Sequence, residues 1–425
     1  MKIKQSKTKK TNLFKVFAVS LTSVLLLGGI AFTAYYMMDK GCVTQTETIV
    51  LDGVQTEPLL PLSVSSNVSV KEDTSKYGAV LTDAERMKTD HIYAKTSKVP
   101  GQTLLAFGGD VMFDDSYSIM NSYHAQGDDI KNCIGDTLLQ EMQAADILML
   151  NNECTFTTRG EPTPNKQYTF RAKPEYTAIL QDMGVDLVSI ANNHVYDYGE
   201  ISLLDTLTAL DGADIRHVGA GTNLSEARQP IYYIINDRKI AFVSATQIER
   251  LPNPDTVGAT KQSAGVFRCL DPNMLCETLR EAKSKSDYVV LYIHWGTENV
   301  TEIDWAQRDH SALYAEAGAD VIIGDHPHCL QGITYIGDTP VIYSVGNFWF
   351  NSRTIDTGLF TITLDEKGTA TYRFVPCIQS SCRTSLLQGA EKERVLQHMR
   401  ELSPGVLIGD DGTISTGTIS DGTIS

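Results

Sequence analysis

Seven short apolar runs recur through the middle of the chain, at 103–107, 147–150, 187–190, 240–244, 288–293, 321–323 and 341–344. Patterns with helical spacing separate most of them. Residues 134–145 put Leu138, Leu139 and Met142 on one face, and 202–210, 272–283 and 305–317 read the same way. Pro174 opens 175–183 as a first-turn residue and Gly184 closes it. Strands alternating with helices predict a layered α/β domain, its strands buried on both faces. From 359 to 375 the pattern becomes strand after strand, so antiparallel pieces should finish a sheet.

The ends of the chain differ in character. Residues 16–38 carry no charge and are long enough to cross a bilayer as a helix; six lysines precede them. The positive-inside rule then predicts a cytoplasmic basic segment (1–15), a single-pass signal anchor (16–38) and an extracytoplasmic main domain at the cell membrane. A cleaved signal peptide is the alternative, and it exports the same domain. Residues 39–100 are mixed and polar and read as a stalk. The main domain should span 101–400, and 401–425, ending in the repeat DGTISTGTISDGTIS, reads as a low-complexity tail. A net charge of −16, more negative still beyond the first lysines, argues against a nucleic-acid partner. The eight cysteines include no C-x-x-C pair, and pairing of Cys377 with Cys382 or of Cys269 with Cys276 stays open.

Five of the apolar runs end alike. Gly108-Gly109-Asp110, Asn151-Asn152-Glu153, Asn192-Asn193-His194, His294-Trp295 and Asp325-His326-Pro327-His328 each follow one of them. Ligands collect at the carboxyl ends of strands in α/β sheets, so these groups should converge on one site. Carboxylate, amide and imidazole without thiolate suit manganese, iron or zinc. The donors exceed what one tetrahedral ion needs and predict two divalent ions about 4 Å apart. Gly108 and Gly109 are expected to let the backbone approach those ions.

With these residues in place, a family resemblance is evident. FGGDVMFDD, LNNECTF, YTFRAKPE, SIANNHVYDYG, HVGAG, YIHWGTEN, GADVIIGDHPHCLQG and VIYSVGNFWF, in that order, resemble the CapA family of capsule synthesis proteins, tied to poly-γ-glutamate production and export in bacteria. That family looks like a branch of the calcineurin-like metallophosphoesterases. The resemblance implies a four-layer α/β/β/α metallo-dependent phosphatase-like sandwich behind the transmembrane helix. It implies Asp110, Glu153, Asn193, His294, His326 and His328 as metal ligands, with Glu153 bridging, and His194 with Asn193 as catalytic groups. Arg171, Asn192, Trp295 and Asn347 are the expected substrate contacts. Trp295, Phe348 and Trp349 either line a groove or pack the loops. The chain departs from the phosphoesterase pattern at Met112, where a histidine is usual, and Asp114 or Asp115 would have to substitute.

Three functions follow as expectations: a membrane-anchored component of poly-γ-glutamate or capsule assembly, a metal-dependent hydrolase of a phosphoester or related envelope bond, and a non-catalytic scaffold. The partners expected are the membrane and an anionic envelope polymer or its synthase complex. Against so acidic a surface, the polymer should touch only the metals or Arg159, Arg171 and Lys173.

Overall fold

Residues 288–293 read as one unbroken apolar run because both faces of the strand Tyr288–His294 are covered, and all seven residues of that strand are buried. In the computed structural model, which describes residues 75–249, 256–417, 419–420 and 423–424, this strand, Tyr288–His294, lies parallel between Arg238–Thr246 and Val321–Asp325. Thr339–Ile342 continues the parallel set, and Ile231–Ile235, Ile92–Ala94 and Ile333–Ile336 complete seven strands. A second, ten-stranded sheet is built on the parallel strands Thr103–Val111, Ile147–Asn152, Leu187–Ser189 and Arg216–Val218. The expected antiparallel pieces, Ile355–Leu364 and Ala370–Ser380, extend it beyond Thr103–Val111. The described residues belong to one unit, Lys71–Ser425.

The alternation of side chains along these strands makes three cores. Phe107, Met149 and Leu187 of one sheet face Phe242, Tyr292 and Ile323 of the other. The opposite face of the ten-stranded sheet, with Leu148, Leu150 and Val188, is packed against helices Asp136–Ala144, Thr177–Met183 and Glu200–Gly212. The outer face of the other sheet, with Val243, Leu291 and Ile322, takes helices Asn273–Lys285 and Trp305–Glu316. The layers therefore run α/β/β/α. Gly184 ends its helix with φ 83°, the left-handed cap expected of it.

Two boundaries differ from the sequence reading. Residues 75–100 are not stalk: Gly78–Leu81 and Ala84–Thr89 are helices, and Ile92–Ala94 joins the seven-stranded sheet with Ile92 buried. A three-residue strand is too short to show a period. Val406–Ile408 and Thr413–Thr416 are not tail either; they extend the ten-stranded sheet and bury Ile408 and Ile414 between the sheets. The repeat's β-branched residues suit that role where a neighbouring edge is available. The expected anchor at 16–38, the basic segment before it and residues 39–74 lie outside the described residues. Among the described residues no helix is long and apolar enough to cross a membrane. The seven described cysteines are free, which removes the Cys377–Cys382 and Cys269–Cys276 pairings.

Glycines set how closely the strand ends approach. A Cβ on Gly109 would lie 1.7 Å from the Gly346 carbonyl oxygen, and one on Gly324 would lie 2.1 Å from that of Tyr343. The constraint seen at Gly109 is thus backbone against backbone. Gly109→Ala should lower unfolding stability by about 3 kcal/mol or more, because a backbone carbonyl that accepts from the Asp110 amide cannot yield as a side chain can. Denaturant titration of the two proteins checks this, and an unchanged midpoint contradicts it.

Candidate metal centre

The convergence expected at one sheet edge is achieved by two sheets. Asp110 pairs in register with Asn151 in one, and His294 with Asp325 in the other. Tyr292 reaches across and donates its hydroxyl to the Gly108 carbonyl at 2.8 Å. The carboxyl ends of both parallel sets therefore open on the same rim, and Asp110, Asn151, His294 and Asp325 are themselves strand residues.

Asp110 accepts from Asn151 Nδ2 at 2.9 Å and lies 3.2 Å from His328 Nδ1. His294 Nδ1 is 3.1 Å from Asp325, and its Nε2 is 2.8 Å from Asn193 Oδ1 and 2.9 Å from His326 Nδ1. Asn347 Oδ1 is 2.7 Å from His328 Nδ1. Glu153 points into the same space, 3.7 Å from His294 Nε2 and 3.8 Å from His194 Nε2. Three sets of side chains bring ligand atoms within 4.8 Å of one another: Glu153, His294 and His326; Asp110, His294 and Asp325; Asp110, Glu153 and His328. His326 and His328 hold φ of 91° and 58° around Pro327, an unusual backbone that turns both rings inward.

These residues fit a divalent cation. Both oxygens of Glu153 are buried without a hydrogen bond, and those of Asp325 are buried with only the His294 Nδ1 contact. A buried carboxylate without a partner costs several kcal/mol. One proton on His294 Nε2 cannot serve an amide oxygen and a second imidazole together. The donor set, hard oxygen with imidazole, suits borderline metals. Burial, and then the Asp110 charge, pushes Glu153 and Asp325 well above the ordinary carboxylate range. Burial also acts on Asp110, but the His328 hydrogen bond and charge override it and hold that carboxyl down to about 2. The same bond raises His328 against its own burial, while burial takes His294 down to about 3.

His194 stands apart from the closest contacts. Its Nδ1 is 2.7 Å from Asp197 Oδ2, its ring centroid is 4.2 Å from that of Phe170, and burial lowers its pKa. Asp197 is fully buried, accepts from the Phe170 amide at 2.6 Å and pairs with Lys166. Asn151 and Asp325 are expected from sequence among the converging strand ends but without a role, and Asp197 and Lys166 are not expected there, although Asp197 follows His194 by three residues.

Of the expected substrate contacts, only Asn347 lies in the cluster. Asn192 spends its amide on Asn151 Oδ1 and the Asn152 carbonyl, and its oxygen on the amides of His194 and Val195. It braces the loop and has nothing left for a substrate. Trp295 follows His294 and so points to the opposite face, into the core under the outer helices, donating to the Tyr343 carbonyl at 2.9 Å. Phe348 and Trp349 are likewise core residues. Arg171 donates to the Gly160 carbonyl at 2.7 Å and lies over the Tyr198 ring. Asp114 accepts from the Arg171 and Ser116 amides and Asp115 pairs with Lys173 and His124, so neither replaces the histidine missing at Met112. A pocket of about 320 Å³ opens beside His194 and His328, with Met112, Tyr117, Phe170, Phe350 and Arg353 in its walls. A second cavity of about 470 Å³, bounded by His91, Asp211 and His217, includes no residue of the cluster.

Fold and site together define an α/β/β/α domain with a buried acid–imidazole cluster that could hold a metal ion. The family model described as "Bacterial capsule synthesis protein PGA_cap" matches residues 104–352, more than half of the chain, and the chain belongs to that family. It is 33% identical over 216 residues to the PGA biosynthesis protein CapA of Bacillus subtilis (strain 168), covering 50% of this chain and 56% of that one. It is 31% identical over 254 residues to the capsule biosynthesis protein CapA of Bacillus anthracis, covering 57% and 60%. A probable polyglutamine synthesis accessory protein of Mycobacterium tuberculosis (strain ATCC 25618 / H37Rv) is 27% identical over 218 residues, covering 49% and 56%. The chain thus spans little more than half the length of these relatives. Among solved structures, the 5'-nucleotidase of Candida albicans SC5314 aligns over 67% of this chain and 53% of its own at 11% identity, with a TM-score of only 0.35.

The charge arrangement has a pH consequence once cations are chelated. A carboxyl with a raised folded pKa stabilises fully below its unfolded pKa and loses that contribution as pH rises through the folded value. Glu153 and Asp325 are of this kind. In chelator, unfolding free energy should fall as pH rises above about 4.5, the ordinary glutamate range. Glu153→Gln should flatten the fall and be the more stable protein at pH 7 by on the order of 1 kcal/mol or more. Urea titrations in chelator across pH measure it; a wild type no less stable at pH 7 than at pH 5 contradicts it.

Proposed function

We propose that this protein is a membrane-anchored, extracytoplasmic component of poly-γ-glutamate or related capsule polymer assembly, and that its cluster holds two divalent cations, manganese, iron or zinc, where an anionic segment of the polymer or of its synthase complex is engaged. The observation that carries the reading is the Glu153 carboxylate, buried with both oxygens unpartnered among two histidines and further acids. Asp110, Glu153, Asn193, His294, His326 and His328 would hold the ions, joined by Asp325. Asp110, Glu153 and His294 each belong to two of the three ligand sets, which supports adjacent ion positions sharing ligands. The names of the relatives support the polymer, and the uncharged stretch at 16–38 supports the anchor.

A second reading, metal-dependent hydrolysis of a phosphoester or related envelope bond, is favoured by the placement of His194. When bound, the cations would supply Lewis acidity toward a phosphoryl or carbonyl oxygen. Asp197 fixes Nδ1 of His194 and leaves Nε2 turned to the pocket, where it can hold a proton for a leaving group. The aromatic wall of Tyr117, Phe170 and Phe350 limits water around it.

Cells lacking this gene should lose surface polymer, restored by the wild-type gene and not by Glu153→Gln or His294→Ala expressed at equal level. Quantified polymer that is unchanged on deletion contradicts the assembly role. If the site also hydrolyses, His194→Ala should lower kcat on a phosphoester probe by about 100-fold or more without loss of bound metal; an unaltered kcat removes His194 from that role.

A further inference from the structure

Most basic side chains around the candidate centre are already engaged within the chain. Arg159 pairs with Asp205, Lys166 with Asp197 and Lys173 with Asp115, while Arg171 lies on the Tyr198 ring and donates to loop carbonyls. Arg353 differs. It is exposed, makes no ion pair among the described residues, and lines the pocket of about 320 Å³ beside His194 and His328. Its guanidinium makes one hydrogen bond, from Nη1 to Asn299 Oδ1 at 2.8 Å.

That rim position is built by buried groups. Gln379, fully buried, accepts from the Phe350 amide at 2.8 Å and donates to Asn351 Oδ1 at 2.9 Å and to the Arg353 carbonyl at 3.3 Å. Asn351 Oδ1 in turn accepts from the Arg353 amide at 2.9 Å. On the other side, the Asn299 amide donates to the Pro327 carbonyl at 2.7 Å, tying the guanidinium's holder to the turn that carries His326 and His328. A guanidinium has five donors in a planar fork that matches carboxylate or phosphate, and here most of the fork is unspent. Among the described residues Glu298 is the one acid in the same wall, which narrows where an anion can settle. Tyr117, Phe170 and Phe350 offer an apolar surface between the fork and the cluster.

We infer that Arg353 is the specificity-determining residue of this pocket and receives a second anionic group of the substrate, a carboxylate or a phosphate, beyond the group engaged at the acid–imidazole cluster. The inference rests on the proposed anion-engaging role of that cluster. It also selects a cation that the sequence reading passed over in favour of Arg159, Arg171 and Lys173.

The test is calorimetric titration of the purified full chain, supplied with manganese, with phenyl phosphate, 4-carboxyphenyl phosphate and 1,4-phenylene bisphosphate. The wild type should bind one of the two doubly anionic probes about ten-fold more tightly than phenyl phosphate. Which of them wins identifies the second group as carboxylate or phosphate. Arg353→Met should lose the preference and Arg353→Lys should keep part of it; since Arg353 is exposed, both should melt with the wild type. Equal affinities in the wild type, or a preference that survives in Arg353→Met, overturns the assignment. Failure of the wild type to bind any of the three probes overturns the reading of the cluster, and the assignment with it.

Discussion

Three carboxylates, Asp110, Glu153 and Asp325, are buried together, and too few protein donors reach them. Asp110 has Asn151 and His328, Asp325 has only the contact with His294 Nδ1 at 3.1 Å, and Glu153 has no hydrogen bond. Mutual repulsion in a low-dielectric rim is unfavourable by several kcal/mol unless a proton or a cation compensates it. Such a grouping is one that a bound cation would complete. The imidazoles point the same way: His294 faces an amide oxygen and a second imidazole through one nitrogen, which a shared cation reconciles and a proton does not.

The fold exists in a form that makes this grouping reachable. Two parallel sets of strands, stacked on an apolar layer of Phe107, Phe242, Tyr292 and Ile323, end at one rim. Each sheet alone would supply half of the donors: Asp110, Glu153 and Asn193 from one, His294, Asp325, His326 and His328 from the other. Gly109 against Gly346 and Gly324 against Tyr343 allow the strand ends and the following loops to close to backbone contact. Stability and site are therefore coupled through packing that touches no ligand, and residues such as Asn192 and Asp197 serve the site by holding the loops that carry Asn193 and His194.

Much of this was legible in the sequence because its signals are local. A buried strand is an apolar run, and a strand that ends in the same kind of polar residue five times announces a rim. The seven expected strands and five expected helices are present with shifted ends: Thr103–Val111 runs four residues further than expected, while Asp136–Ala144 and Leu187–Ser189 are shorter. What was not legible depends on long-range partners. Ile92–Ala94 and Thr413–Thr416 are strands only because an edge is waiting for them. Where the expected substrate contacts point depends on such partners too. Trp295 sits next to His294 in sequence and on the opposite face in space, since neighbours on a strand alternate. Arg171 lies in a recognisable motif but spends its guanidinium on its own loop, whereas Arg353, just past the family match, faces the pocket.

Cations proposed at the joint rim of the two sheets would balance its buried acids, and metal content is the direct check of their presence. The full chain, purified without chelator and with manganese, iron and zinc in the medium, should carry about two divalent ions per molecule by elemental analysis. Protein that is folded by its melting curve yet contains near zero metal, and takes up none when each ion is added back, would contradict it.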